Sequence, residues 1–279
     1  MTVTIGRREL LAALGGAAAA WPIAARAQQR ERVRRIGVLL PATADDAVYQ
    51  AWAGAFVQGL AQMDWLRPLL QVTRTVPVVF AIVGDPVGAG FVENLARPGG
   101  NATGFLAFEY AIGGKWLELL KEIAPALTRV AVLRDPTTTS GPALFGVIQT
   151  MASSLRVEVN HVNVRDATDI ERGITHFAQS SNGGLIVPGN PPTNINHRLI
   201  AKLAAQHRLP TIYFLRAGAT AGGLMSYGSH QTEQFRQAAR YVDRILKGEK
   251  PADLPVQAPT KYELVINRIA SSEITVTLQ

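Results

Sequence analysis

The side chains that could do chemistry in this chain stand at the ends of apolar runs. Asp85 lies in Gly84-Asp85-Pro86, directly after an apolar, β-branched-rich run at residues 76–83. A carboxylate there can accept a hydrogen bond from a ligand amine or hydroxyl. It can equally accept one from an unpaired N–H of a following helix, and Pro86 suits the first helical position because its missing N–H costs nothing there. Thr103 stands where the next strand exits toward the other lobe, either as a ligand contact or for its strand propensity. Ser226-Tyr227-Gly228 ends a further run beside Gly222-Gly223. A strand-end Ser-Tyr with free backbone suits a carboxylate or an aromatic ring, and the same residues can simply make a turn. Asn190 and Thr193 follow another strand end, where Pro191-Pro192 shape the loop.

Enzyme chemistry finds no footing in these residues. Ser226 has Gly228 after it but Leu224 before it, so no Gly-x-Ser-x-Gly elbow forms. Lys115 follows Gly113-Gly114, but Trp116 occupies the Ser/Thr place of a phosphate loop, and Gly84, Gly88 and Gly90 do not fit the dinucleotide spacing. The five His show no metal-ligand spacing, and the absence of Cys removes thiol chemistry, disulfides and a cysteine-linked lipid anchor. No metal and no cofactor is expected. No Lys/Arg cluster with interleaved aromatics is present, which argues against a nucleic-acid partner.

The elements that would position these side chains alternate along the chain. Residues 76–83 read as a strand buried on both faces, because helical periodicity is absent and a turn follows at once. A helix is expected at residues 87–96, stopped by Pro98-Gly99-Gly100, with a new strand from Asn101. This strand–turn–helix–strand unit places Asp85 and a helix N-terminus at the carboxyl edge of a sheet, where open α/β sheets bind ligands. Upstream, residues 34–41 read as the first strand and 48–60 as a helix. Pro68 interrupts the poorly patterned stretch at 63–75. Downstream come a helix with Trp116, Leu119, Leu120 and Ile123 on one face, and a strand at 128–133. Arg134-Asp135-Pro136 then repeats the strand–Asp–Pro arrangement of Asp85. Strands at 157–164, 184–188, 211–214 and 224–227 alternate with helices carrying Leu144 and Ile148, Ile170 and Ile174, and at 196–206. A last helix covers 233–247 with Gly248 as its C-cap. A proline-spaced extended segment, 251–259, precedes a final strand at 262–267. Such alternation implies parallel, doubly wound sheets. Enough strands follow residue 128 for one complete sheet and the earlier ones belong to another, giving two lobes with a cleft between them.

The first 27 residues read as a leader rather than as fold. Arg7-Arg8 precede an apolar run at residues 10–20, too short to span a bilayer, and Ala25-Arg26-Ala27 has the small-x-small form of a cleavage site. The Arg pair is similar to a twin-arginine signal. Cleavage after Ala27 removes three Arg and one Glu, which lowers the formal charge from +7 to +5. The expected product is an ordinary basic export protein, periplasmic and not membrane-spanning.

Several long stretches carry a family resemblance: RRIGVLLP, VPVVFAIVGDPVGAGFVENLARPGGNATGF, GGKWLELLKEIAPALTRVAVL, the Ser-Tyr-Gly at 226–228, and RILKGEKPADLPVQAPTKYELVIN. Together with the leader, they resemble the ABC-transporter substrate-binding protein family, in the branch that includes tryptophan- and tyrosine-binding members. The resemblance implies a type I periplasmic-binding-protein fold whose two α/β lobes close on a small organic solute, with an ABC permease in the inner membrane as partner. It implies that Asp85, Thr103, Tyr213, Ser226 and Tyr227 face the cleft, with Asp45 and Tyr49 contributing from the first lobe. The lobes would be residues 28–108 with 229–255, and 109–228 with 256–279. Relatives carry two further strands before the VPVVF strand, so the first lobe is expected to be shortened. The end, 268–279, does not resemble the family's C-terminal helix. Pro188-Gly-Asn-Pro-Pro-Thr-Asn replaces a segment that offers relatives' ligands an acidic residue. Besides a working solute binder, the sequence leaves open a degraded relative that no longer binds, and an enzyme on the same scaffold.

Overall fold

Residues 129–134, RVAVLR, form β3 (Arg129–Arg134), and their alternation shows how the molecule is layered. Val130 and Val132 point into one apolar cluster, while Ala131 and Leu133 point into another, and all four are buried. A strand buried on both faces needs helices on both sides, and the chain supplies them. Helix α1 (Ile112–Ile123) and α2 (Ser140–Leu155) cover one face; α3 (Ala167–Phe177) and α5 (His197–Gln206) cover the other. The computed structural model describes residues 76–267, which belong to one compact unit.

Two sheets are present among the described residues. The first has two parallel strands, β1 (Val78–Val83) and β2 (Ala102–Leu106). The second has six strands: β3, β4 (Glu158–Asn163), β5 (Gly183–Val187), β6 (Thr211–Tyr213), β7 (Met225–Ser229) and β8 (Tyr262–Ile266), in the order β4-β3-β5-β6-β7-β8. Strands β3 to β7 run parallel. β8 pairs with β7 antiparallel, from Met225↔Ile266 to Ser229↔Tyr262, so the parallel expectation stops one strand short of that edge. The amphipathic helix α7 (Gln231–Leu246) follows β7 and packs on β1 and β2, with Phe235, Ala238, Ala239 and Val242 buried. Gly248 then takes φ of 112°, as a C-cap glycine does.

Several elements differ from the sequence reading. The helix expected at 87–96 is a single turn at residues 86–90 followed by irregular chain. Phe91 N and Val92 N both return to the Pro86 carbonyl, at 2.9 and 3.3 Å, and Gly90 takes φ of 71°, so the helix stops where it starts. Val92 is then buried with Phe80, Leu106 and Val256. Pro191 and Pro192 do not merely shape a loop: they open the short helix α4 (Pro191–Ile195), capped by Asn190. A second short helix, α6 (Arg216–Thr220), follows β6. The leader, the first strand and helix at 34–60, the shortened segment and residues 268–279 lie outside the described residues.

Strands β1 and β2 approach too closely for an ordinary residue at position 104. A Cβ on Gly104 would stand 2.0 Å from the Phe80 carbonyl oxygen, and Gly104 has φ of 157°. Gly146, on the exposed side of α2, has nothing within 4 Å of its Cβ position. Gly104→Ala should therefore destabilise the protein by about 1–3 kcal/mol or more, since backbone must move. Gly146→Ala should stabilise it by about 0.5–1 kcal/mol, through helix propensity alone. Urea unfolding of the two variants should shift in opposite directions.

Candidate functional site

The second sheet reverses its strand order between β3 and β5. From β3 the chain steps outward to β4, then returns past β3 to β5. In open α/β sheets this reversal opens a crevice at the carboxyl ends, where no crossover covers both strands. Asp135 stands at the end of β3 and Asn190 at the end of β5. Asp135 is buried, and its Oδ1 accepts from Thr137 N at 2.9 Å and Thr137 Oγ1 at 2.7 Å. Asn190 donates Nδ2 to Leu133 O at 3.1 Å, which ties the ends of β5 and β3 together. Its Oδ1 accepts from Thr193 N at 3.1 Å, while Thr193 Oγ1 donates to Pro188 O at 2.7 Å.

The carboxyl end of β1 comes to the same place. Gly84 lies against the start of α2, where its Cβ position is 3.0 Å from Ser140 Oγ and 3.5 Å from the Phe108 ring. The first strand–Asp–Pro turn therefore adjoins the start of the helix that follows the second one. Asp85 Oδ1 accepts from Gly88 N at 2.8 Å and caps the single turn. A Cβ on Gly88 would sit 2.1 Å from Asp85 Oδ2, so the cap requires glycine there. Burial raises the pKa of the Tyr110 phenol, and the Asp85 charge raises it further.

Aromatic rings flank this turn. Phe108 meets Tyr110 at 6.1 Å, Trp116 at 6.2 Å and Phe214 at 5.5 Å between centroids, all edge-on. Trp116 Nε1 donates to Tyr227 O at 2.7 Å, and Tyr227 stacks on Tyr262 at 5.7 Å. Asn190 is thus tied to the end of β3 beside Asp135, while Asp85 lies on the turn at the start of α2, and Tyr227 is reached from Phe108 through Trp116. Ser226 is buried in β7 between Tyr213 of β6 and Val265 of β8.

Two other sequence-predicted positions point elsewhere. Thr103 is fully buried and its Oγ1 donates to Leu254 O at 2.5 Å, which pins the segment after α7 to β2. Tyr213 turns toward the α3 and α5 side, its ring held by Gly218 and Gly223. Its phenol oxygen is buried with no partner, and burial raises its pKa. Asp45 and Tyr49 lie outside the described residues. Sequence reasoning passed over Asp135, Phe108, Tyr110 and Phe214. The signal for Asp135 was the repeated strand–Asp–Pro pattern; the rings carried none, because aromatic residues after strands serve cores as readily as sites.

Among the described residues, no group of His, Asp or Glu could hold a metal ion, and no helix is long and apolar enough to cross a membrane. A surface depression of about 320 Å³, lined by Leu127, Asn182, His207, Arg208 and their neighbours, lies at the amino-terminal edge of the second sheet. It is remote from these turns, and sheet topology favours the carboxyl edge.

Comparison with known proteins agrees with this architecture. Residues 67–279 match the model of a family described as ABC transporter substrate binding protein. A tyrosine-binding protein of Clostridioides difficile is 24% identical over 195 residues, 70% of this chain. That match spans 56% of the relative's own length. A Streptococcus pneumonia structure described as an ABC domain in complex with L-Trp superposes with a TM-score of 0.79 at 20% identity, covering 88% of this chain and 96% of that one. A conserved domain protein from Vibrio cholerae gives 0.77 at 20% identity, covering 88% and 95%. These likenesses show a type I periplasmic-binding-protein-like fold.

The Thr103 hydroxyl offers a direct check on the geometry. Thr103→Val keeps the shape but leaves the buried Leu254 carbonyl without that donor, which should cost about 1–3 kcal/mol. Urea unfolding should show the loss, while the affinity of the folded protein for its ligand stays unchanged.

Proposed function

Because the chain belongs to the ABC transporter substrate-binding protein family, we propose that it captures a small organic solute of the amino-acid class between its sheets and delivers it to an ABC permease in the inner membrane. The observation that carries this reading is the contact, at Gly84 and Ser140, of the first sheet's carboxyl-edge turn with the start of the helix that follows the Asp135 turn. The tyrosine-binding relative and the L-Trp complex support an aromatic amino acid as solute, and the partly exposed rings of Tyr110 and Tyr227, backed by the buried Phe108 and Phe214, suit one. Binding and release without chemistry is the work proposed, by closure of two lobes on the solute.

The lobe division at 28–108 with 229–255, and 109–228 with 256–279, has support in the crossings. Near residues 106–107 the chain passes toward α1, and near 229–231 it returns to α7. Ser229 Oγ donates to Ala107 O at 2.8 Å, and Gln234 Nε2 donates to Leu106 O at 2.9 Å. Gln257 bridges Phe105 beside them. Three connections gathered at one place suit two bodies that move about it.

Export to the periplasm completes the proposal, through the leader at residues 1–27 with Arg7-Arg8 and the Ala25-Arg26-Ala27 site. The exported protein should begin at Gln28 by N-terminal sequencing; an intact Met1 in the mature pool rejects the leader.

A thermal-unfolding series with L-tyrosine, L-tryptophan and other amino acids tests the binding claim. A true ligand stabilises by RT ln(1 + [L]/Kd), about 2.7 kcal/mol at a hundredfold excess over Kd. A dose-dependent rise in Tm supports the reading. No rise with any amino acid supports the degraded relative, and turnover of the ligand supports an enzyme.

A further inference from the structure

We infer that Asp135 is the acceptor for an ammonium group of the solute, and that it makes the site select amine-bearing ligands. This rests on the binding reading above and names a residue and a chemistry within it. Asp135 is 6% exposed. Its Oδ1 is fully engaged by Thr137 N and Oγ1. Its Oδ2 accepts no hydrogen bond, yet it is absent from the fully buried atoms that lack a partner. One oxygen of a buried carboxylate is therefore spare and open to solvent, and it stands where the strand order reverses.

The turn itself does not need that oxygen. Both bonds from Thr137 end on Oδ1, and an Asn Oδ1 would accept them equally well. The negative charge is likewise unused inside the protein, since Asp135 makes no ion pair among the described residues. The neighbouring cation makes no ion pair with it: Arg134 turns Nε and Nη2 to the neutral Asn163 Oδ1, at 3.1 and 3.0 Å. A buried charge without a partner is costly, whereas a buried charge that meets an opposite one through a hydrogen bond is not. A ligand hydroxyl would fill the spare valence but leave the charge uncompensated. A metal ion would need further ligands, and no such group exists among the described residues. An ammonium fills the valence and neutralises the charge together, through a charge-assisted bond about twice as strong as a neutral one.

The test is calorimetric titration of the exported wild-type protein and of Asp135→Asn at pH 7. The probes are L-tyrosine and its desamino analogue, 3-(4-hydroxyphenyl)propanoate. Wild type should bind tyrosine at least about tenfold more tightly than the analogue, the scale of one charge-assisted bond. Asp135→Asn should keep its Tm, lose about tenfold or more in tyrosine affinity, and bind the analogue as well as wild type or better. Unchanged tyrosine affinity in Asp135→Asn overturns the inference. So does a wild type that binds both probes equally, a comparison that stands even if the variant does not fold; the amino-acid reading then survives and the ammonium role fails. A wild type that binds neither probe nor any amino acid overturns both.

Discussion

Residues 104–107 leave the small sheet for the large one, and their buried backbone groups must find partners on the way. This requirement shapes the rest of the structure. Gly104 O accepts from Gln257 N at 2.9 Å, and Leu106 N donates to Gln257 O at 2.8 Å. Ala107 N donates to Val83 O at 2.9 Å. The next two carbonyls lie beyond any strand partner and take side chains instead: Gln234 for Leu106 and Ser229 for Ala107. Apart from Val83, each partner comes from a segment more than a hundred residues away, so the crossing can be satisfied only when all three passages of the chain are in place. The position of the Asp85 turn relative to the Asp135 turn follows from it, since β1 is tied to β2 and the aromatic group around Phe108 begins at the crossing.

The end of β1 shows a local cost of that placement. Its pairing with β2 shifts register between Phe80 and Val83, and Ile82 takes φ of 59°. A β-branched residue rarely adopts that conformation, which costs on the order of 1–3 kcal/mol. Bulges re-aim the chain that follows. Here the chain that follows is Gly84-Asp85, which the shift turns toward α2. Gly104 is the counterpart on β2, where only a residue without Cβ tolerates the Phe80 carbonyl.

Strands and most helices were legible in the sequence because their burial is periodic and their stops are chemical. The run at 128–133, the helix with Trp116 and Leu120, and the last helix ending at Gly248 all appear within a few residues of their expected bounds. The helix at 87–96 was not legible. Asp85 and Pro86 are sound start signals, but Gly88 and Gly90 end the turn at once, and Val92 gains more from packing with Phe80 and Leu106 than from a second turn. The antiparallel direction of β8 was invisible for a different reason: strand patterning records burial, not the sense of pairing. The Thr103 hydroxyl and the Tyr213 ring depend on rotamers and on distant carbonyls, which no spacing rule encodes.

At the site, each polar residue has a structural task that a sequence would reveal equally well if it bound nothing. Asp85 caps a turn, Asp135 closes another, and Asn190 opens α4 while holding Leu133. What separates structural duty from ligand duty is valence left over after the fold has been served. Asp85 has an unused oxygen, but it is only half-buried, so water hydrates its charge far more freely than that of Asp135. Asn190 has both ends of its amide engaged. Thr193 gives its hydroxyl to the Pro188 carbonyl. Asp135 alone combines deep burial, a net charge and an oxygen that the surrounding backbone does not use. A fold under selection for stability alone has no reason to keep that charge, since an amide would serve Thr137 without the desolvation cost. The spare oxygen at the strand reversal is therefore explained by what arrives from outside the chain.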